Sequence, residues 1–422
     1  MTLASLRNNT YQKEIIFLFF LYFTLIISFI LNENSTGGAI VDYVNQKTIV
    51  RNFSSEFLKT LYIYDTFSTR HSPVLQIFLS LFEKANLPDF LIRLIHLHIC
   101  LLLPIFFYKC LIIKFNKIDI KIVLLLSALI FLSPTFRTLA IWPDSRLLGL
   151  TLFTFSVYFF LRFEKNKKFS FAFFNIIFLA LSAYLSPNFS VFSIFFMIKF
   201  IFYYRLFSKQ IFILILTNLF LAFPAFYYVF VLSINFFLQT AAIGLKNNES
   251  MFFYNLSNDI LITFSIIFFY LIPFIYFKVI KLDNLLNIKN FFISLFIFSV
   301  CLLNFDYNYS YTGGGIFFKL SYFIFNNNYL FYLISFIAVL VVCSLAQINY
   351  LNTLLIVLII LNNPQYTIYH KYFDPFLLIL FFTIFSLNID MKRIYDGKNY
   401  LYIFTYFLGF LVISNLKFIL LN

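Results

Sequence analysis

Charge is scarce in this chain. Of its 422 residues only 11% are Asp, Glu, Lys or Arg, while 62% are hydrophobic. A soluble domain cannot hide that much apolar surface. Cysteine is also scarce: Cys100, Cys110, Cys301 and Cys343 all lie in apolar runs. Their spacing suits neither a zinc site nor a disulfide framework, so they read as core residues. No small-residue cleavage site follows the first apolar run, so that run is expected to persist as an uncleaved helix. There is no internal repeat and no pair of glycine-broken apolar segments, which argues against common transporter architectures. No charge is expected deep in an apolar run, as an ion or proton path would need. Nor do acids cluster into a metal-binding motif, and no metal or other cofactor is expected.

What is present is a series of apolar runs of about 15–25 residues, as membrane-spanning helices require. Expected spans fall near 15–31, 90–113, 121–141, 146–161, 170–186, 188–204, 211–234, 259–277, 290–304, 328–346, 348–362, 374–389 and 400–421. The fold class is therefore all-α, a polytopic membrane bundle of about thirteen spans forming a single domain over 1–422. The segment 348–362 is short enough to be re-entrant. The 67 Phe and 29 Tyr accompany much Ile, Asn and Lys and a single Trp. That skew matches AT-rich coding, so the aromatics are not read as a binding surface.

The net charge of +14 is divided among short loops. It therefore reads as topology and lipid contact, and no nucleic-acid partner is expected. With a cytoplasmic N-terminus, the inner loops carry Lys109, Lys114, Lys117, Lys121, Arg162, Lys165, Lys167, Lys168, Lys199, Arg205, Lys209, Lys278, Lys281, Lys289, Lys392, Arg393 and Lys398. The positive-inside rule then places a long first loop, 32–89, outside, together with 142–146, 186–188, 235–258, 305–327 and 363–374.

Polar residues of interest collect in these outer loops. Asp42 follows Gly37-Gly38, which allow a tight turn. A carboxylate there suits a general base, or a helix-first-turn acid favoured by the dipole. Arg70-His71-Ser72-Pro73 precedes Val74, Leu75, Phe78, Leu79 and Phe82 at helical spacing. Ser72 as N-cap and Pro73 as first residue predict an interfacial helix, with Arg70 and His71 placed for a phosphate or for lipid headgroups. Phe53, Phe57, Leu58 and Leu61 predict a second such helix over 53–62. Trp142-Pro143-Asp144-Ser145-Arg146 is a short turn that aims Asp144 and Arg146 into the space over the bundle, or starts a helix. Thr312-Gly313-Gly314-Gly315 with Lys319 fits a flexible anion-binding turn or a plain loop. In the last outer loop, His370 and Lys371 are candidates for a phosphate and Tyr369 or Tyr372 for a sugar or isoprenoid. Asp374-Pro375 there reads as a structural helix start. His96 and His98, with Arg93, read as interfacial or core residues.

These motifs resemble the GT-C superfamily of polyprenyl-phosphate-sugar glycosyltransferases. The branch is the family-39-like one of protein O-mannosyltransferases and lipid A aminoarabinose transferases. That branch has an acid early in the first outer loop ahead of a His-Pro-Pro or Lys-Pro-Pro helix start; here Asp42 precedes His71-Ser72-Pro73. Tyr43 stands where the family has a second acid, and Ser72 replaces a proline. The family's next acid falls at Asp144 and its late basic motif at His370-Lys371-Tyr372. The resemblance implies a bacterial inner-membrane enzyme with an external site and an inverting mechanism. Asp42 and Asp144 would be catalytic. Arg70, His71, Arg146, Lys319, His370 and Lys371 would hold the donor phosphate, and Tyr43, Tyr369 and Tyr372 would contact sugar or lipid. The implied partners are a polyprenyl-phosphate-linked sugar, a lipid, glycan or protein acceptor, and the bilayer. Some relatives use a divalent metal. Two other readings stand beside this one: an O-antigen or polysaccharide polymerase, whose large outer loop usually comes late in the chain, and a lipid-linked sugar flippase.

Overall fold

The computed structural model describes residues 12–67, 72–231, 255–310 and 313–421, and these are almost wholly helical. Helix α1 (Gln12–Ile30) is followed by α2 (Ala39–Ser55), α3 (Phe57–Tyr62) and α4 (Val74–Lys84). Next, α5 (Asp89–Cys100) and α6 (Leu102–Lys114) form one long run. Helices α7 (Ile120–Ala128) and α8 (Pro134–Ile141) are bent by 64° relative to each other. The bend falls at Pro134, which cannot donate a helical hydrogen bond. There follow α9 (Ser145–Asn166), α10 (Phe169–Leu185), α11 (Ser193–Tyr204), α12 (Lys209–Phe230) and α13 (Leu256–Tyr276). The chain ends with α14 (Ile288–Leu303), α15 (Gly315–Phe325), α16 (Tyr329–Ile348), α17 (Tyr350–Leu361), α18 (Phe376–Thr383) and α19 (Asn399–Leu421). A small antiparallel pair, β1 (Ile280–Lys281) and β2 (Asn388–Ile389), ties the end of α13 to the segment after α18.

Polar side chains start many of these helices. Asp119, Asp144, Ser208, Asn255, Asn287 and Asn349 each accept a hydrogen bond from a first-turn backbone N–H. Among the described residues, eight helical segments are long and apolar enough to cross a membrane, or nine if the bent α7–α8 pair counts as one crossing. The other expected spans hold shorter apolar helices: α10, α14 and α17, with α18 in 374–389. Helix α15 was not foreseen and lies in the expected outer loop 305–327.

The first loop folds differently in detail from its sequence pattern. Helix α2 stops at Glu56, so the expected amphipathic helix over 53–62 is broken. Phe53 is buried, whereas Phe57 and Leu58 are exposed. Helix α4 starts one residue later than expected, with Pro73 in the cap position. Ser72 gives its hydroxyl to the Tyr184 carbonyl instead of capping α4, pinning this loop to the end of α10.

Charge does enter the apolar interior. Arg137 of α8 and Glu33 form a buried ion pair, Nε to Oε2 at 2.9 Å. Arg137 also donates to the Thr24 carbonyl (3.2 Å) and to the Ser28 hydroxyl, while Asn415 of α19 donates to Glu33 (3.3 Å). The expectation that the spans are free of deep charge is thus corrected. A paired and fully hydrogen-bonded arginine joins α1, α8 and α19, which is how a buried charge is tolerated.

Helix α18 is buried on every side, from Phe376 to Thr383. It is apolar throughout, as an enclosed helix must be. Phe376 packs edge-on to Phe153, Phe189 and Phe192 at 5.4–5.6 Å between ring centroids. The four cysteines are buried and unbridged.

Candidate functional site

Gly37 and Gly38 both have positive φ (+64° and +86°), where other residues are strained. They turn the chain from α1 into α2, and Asp42 falls in the first turn of α2. Helix α2 is then locked to α5. Tyr43 donates its hydroxyl to Asp89 at 2.8 Å, and Lys47, one turn on, meets the same carboxylate oxygen at 2.7 Å. Arg93, one turn along α5 from Asp89, lies 3.6 Å from the Trp142 ring centroid and donates to Asn32 and to the Ile141 carbonyl. The Tyr43 ring is buried, and burial together with the Asp89 bond raises its pKa. Tyr43 therefore positions α2; its side chain is not presented to a substrate.

The loop after α17 does not lie over the bundle but sinks into it. His370 hydrogen-bonds to the Tyr270 hydroxyl at 3.1 Å and packs against Phe269 and Phe410. Tyr270 lies well inside α13, about 20 Å along from its first residue at 1.5 Å per residue. Asp374 accepts from the Ser133 hydroxyl (2.6 Å) and the Thr135 N–H (3.0 Å) at the α7–α8 bend. It is structural, as expected, but it caps α8 rather than its own helix. A glycine turn props the loop from the other side: the Gly314 N–H donates to the Ile368 carbonyl at 2.8 Å, and the Tyr307 ring stacks on Tyr366.

Three of the expected regions meet here. The Lys371 ammonium lies 3.8 Å from an Asp42 carboxylate oxygen. Burial and the neighbouring Arg146 guanidinium hold Lys371 below the usual lysine range, opposed by Asp42, Asp144 and Tyr369. Arg146 stacks on the Tyr372 ring at 4.0 Å, and its Nη1 is buried without a hydrogen-bond partner. Tyr372 donates to Gln365 at 3.1 Å, and its ring meets Tyr369 edge-on. Asp144 is buried and accepts from the Arg146 N–H at 2.7 Å as the N-cap of α9, so it fixes the start of the helix that carries Arg146. Asp42 is half exposed and Lys371 mostly covered. The result is two adjacent cations, an accessible carboxylate and two tyrosine rings.

The other expected residues lie elsewhere. His370 is enclosed among aromatic rings, and burial lowers its pKa to about 3, so at neutral pH it brings no positive charge to an anion. Lys319 donates to the Tyr309 carbonyl at 2.5 Å and covers that ring, so it serves the glycine turn locally. Arg70 and His71 fall outside the described residues. Sequence reasoning missed Asp89 and Lys47; an acid at the start of a span, facing a Tyr and a Lys one turn apart on α2, was the available signal. Among the described residues no three of His, Cys, Asp and Glu gather into a metal-binding group. No protein-family model matches this chain, and neither a curated protein nor a solved structure resembles it closely enough to count as a match.

Proposed function

We propose that this protein is a multi-pass membrane glycosyltransferase of the GT-C kind. It would move a sugar from a polyprenyl-phosphate carrier to a hydroxyl acceptor. The observation that carries the reading is the pairing of Lys371 with Arg146 beside an accessible Asp42. Asp42 is half exposed and offsets this charge only in part, so a phosphate placed between the two cations would relieve both. In this reading Lys371 and Arg146 hold the donor phosphate, with the unpartnered Arg146 Nη1 supplying a ready donor. Tyr369 and Tyr372 flank the sugar or the first isoprene unit, and Asp144 orients Arg146.

Asp42 takes the proton from the acceptor hydroxyl as its oxygen attacks the anomeric carbon. The bond from that carbon to the phosphate oxygen breaks on the opposite face, with inversion. Its electron pair leaves on the phosphate monoester, whose charge the two cations stabilise. The lysines of the expected inner loops gather at the other end of the bundle, around Lys114, Lys199 and the β1–β2 pair. By the positive-inside rule this supports an external site.

The test uses the purified full-length protein in proteoliposomes with a panel of polyprenyl-phosphate monosaccharides. Asp42→Asn should abolish transfer while polyprenyl phosphate still binds. Full transfer activity in that variant would remove Asp42 from the mechanism.

A further inference from the structure

A polar cavity lies at the opposite end of α9 from Arg146, about 30 Å away along a helix of 22 residues. Its volume is about 290 Å³, near the lower end for ligand sites. Lys114, Lys165 and Lys199 line it from three different helices, with Glu164 and an apolar wall that includes Phe160 and Phe195. Lys114 turns inward and donates to the carbonyls of Thr383 (2.5 Å) and Phe385 (2.7 Å). Capping the exposed carbonyls at the end of α18 accounts for Lys114. It does not account for the other two lysines. Lys199 stands 3.5 Å from Glu164, which Lys167 also approaches at 3.9 Å. The single carboxylate is thus shared, and cationic charge is left over around the cavity.

We propose that this cavity seats a phosphate group, with Lys165 and Lys199 as its ligands and the phenylalanine wall beside it for an acyl chain. Basic pockets between spanning helices bind lipid headgroups in this way. The proposal does not depend on the reading of the Asp42 site. The experiment uses native mass spectrometry of the full-length protein titrated with phosphatidic acid, and isothermal titration with inorganic phosphate. Both are run in a Lys371→Ala background, so that the other cation pair does not contribute. Lys114 is kept to hold the end of α18.

Lys165→Ala/Lys199→Ala should lower phosphatidic-acid affinity about 30-fold, the equivalent of roughly 1 kcal/mol for each of the two lysines. Lys117→Ala/Lys278→Ala removes the same charge from exposed positions at the same end, outside the cavity lining, and should change it by less than about twofold, as expected of screened surface charges. Loss for the lipid, with inorganic phosphate not binding, assigns the phosphate to a membrane lipid. Parallel loss for inorganic phosphate assigns it to a soluble anion. Equal affinity in the cavity variant and its parent, or equal losses in the two double variants, overturns the proposal.

Discussion

Asp42 and Lys371 come from opposite ends of the chain and meet at 3.8 Å. Neither could be placed by its neighbours in sequence alone. Asp42 is fixed by the glycine turn and by the Tyr43–Asp89 lock, Lys371 by the loop sunk beside α13. The separation is too long for a direct hydrogen bond, which leaves the carboxylate available to a hydroxyl and the ammonium to an anion.

Lys371→Ala should weaken polyprenyl-phosphate binding about tenfold or more, since it removes a charge-assisted contact from a largely covered site. Asp42→Asn should leave that affinity within about threefold, because Asp42 is half exposed and its charge on Lys371 is screened. Native mass spectrometry of each variant with polyprenyl phosphate reads both. Matching losses in the two variants would contradict the division into a binding cation and a base.

Donor binding should depend on pH through Lys371. Its pKa in the folded chain lies below the usual lysine value, by burial first and Arg146 second. Anion affinity is therefore complete below that lowered value and is lost as pH rises through it, earlier than for an ordinary lysine. Lys371→Arg keeps its charge throughout and should flatten the alkaline limb. An unchanged limb in that variant would assign the titration to another group.

Acid should destabilise the fold through His370. Its folded pKa is lowered to about 3, so below the ordinary histidine value of about 6.5 the unfolded chain takes up a proton that the folded chain refuses. Stability is intact above about pH 6.5 and falls by on the order of 2 kcal/mol between pH 7 and pH 5. Tyr270 is the polar group hydrogen-bonded to the ring, with Asp374 four residues further along the same loop. His370→Gln should remove most of the acid sensitivity, measured as the shift in thermal midpoint in detergent between the two pH values.

Arg137→Ala should cost about 3–5 kcal/mol, because it leaves Glu33 buried without a cation, with only Asn415 donating to it. Combining it with Glu33→Gln should recover part of that loss. Thermal unfolding of the two variants and the double variant measures the coupling, and additive losses would mean that the pair contributes nothing as a pair.

Gly313→Ala should disturb the site from a distance. Gly313 has φ +95°, and an added Cβ would lie 2.6 Å from the Ile368 carbonyl oxygen. The loop holding Lys371 must then shift. The expected outcome is a loss of about 1–3 kcal/mol in stability, together with weaker polyprenyl-phosphate binding. Normal affinity in the variant would show that Lys371 is held independently of the glycine turn.

Much of the helical layout was legible. The apolar runs from α1 to α19 stand within a few residues of their expected places, since hydropathy reads burial along one dimension. The turn at Gly37-Gly38 and the position of Asp42 in a first turn were equally readable, because local backbone rules set both. Depth was not. Hydropathy placed 363–374 above the bundle, whereas His370 and Asp374 descend to Tyr270 and Ser133. Those side chains are satisfied by partners 100 and 241 residues away, and no local pattern announces them. Arg137 lies in the expected span 121–141 but was passed over, because its tolerance depends on Glu33, Thr24 and Ser28, which only packing brings together. Lys319 and His370 have the right chemistry for an anion and the wrong surroundings, a distinction that residue type alone does not carry.

The sunken loop also leans on α19. One wall of its bed is Phe410, in the final helix, and another is Phe269 in α13. The bed of this loop is complete only when α19 has packed against α13. A truncated chain that stops before α19 would keep its earlier segments yet leave the loop that carries Lys371 without one wall of its bed.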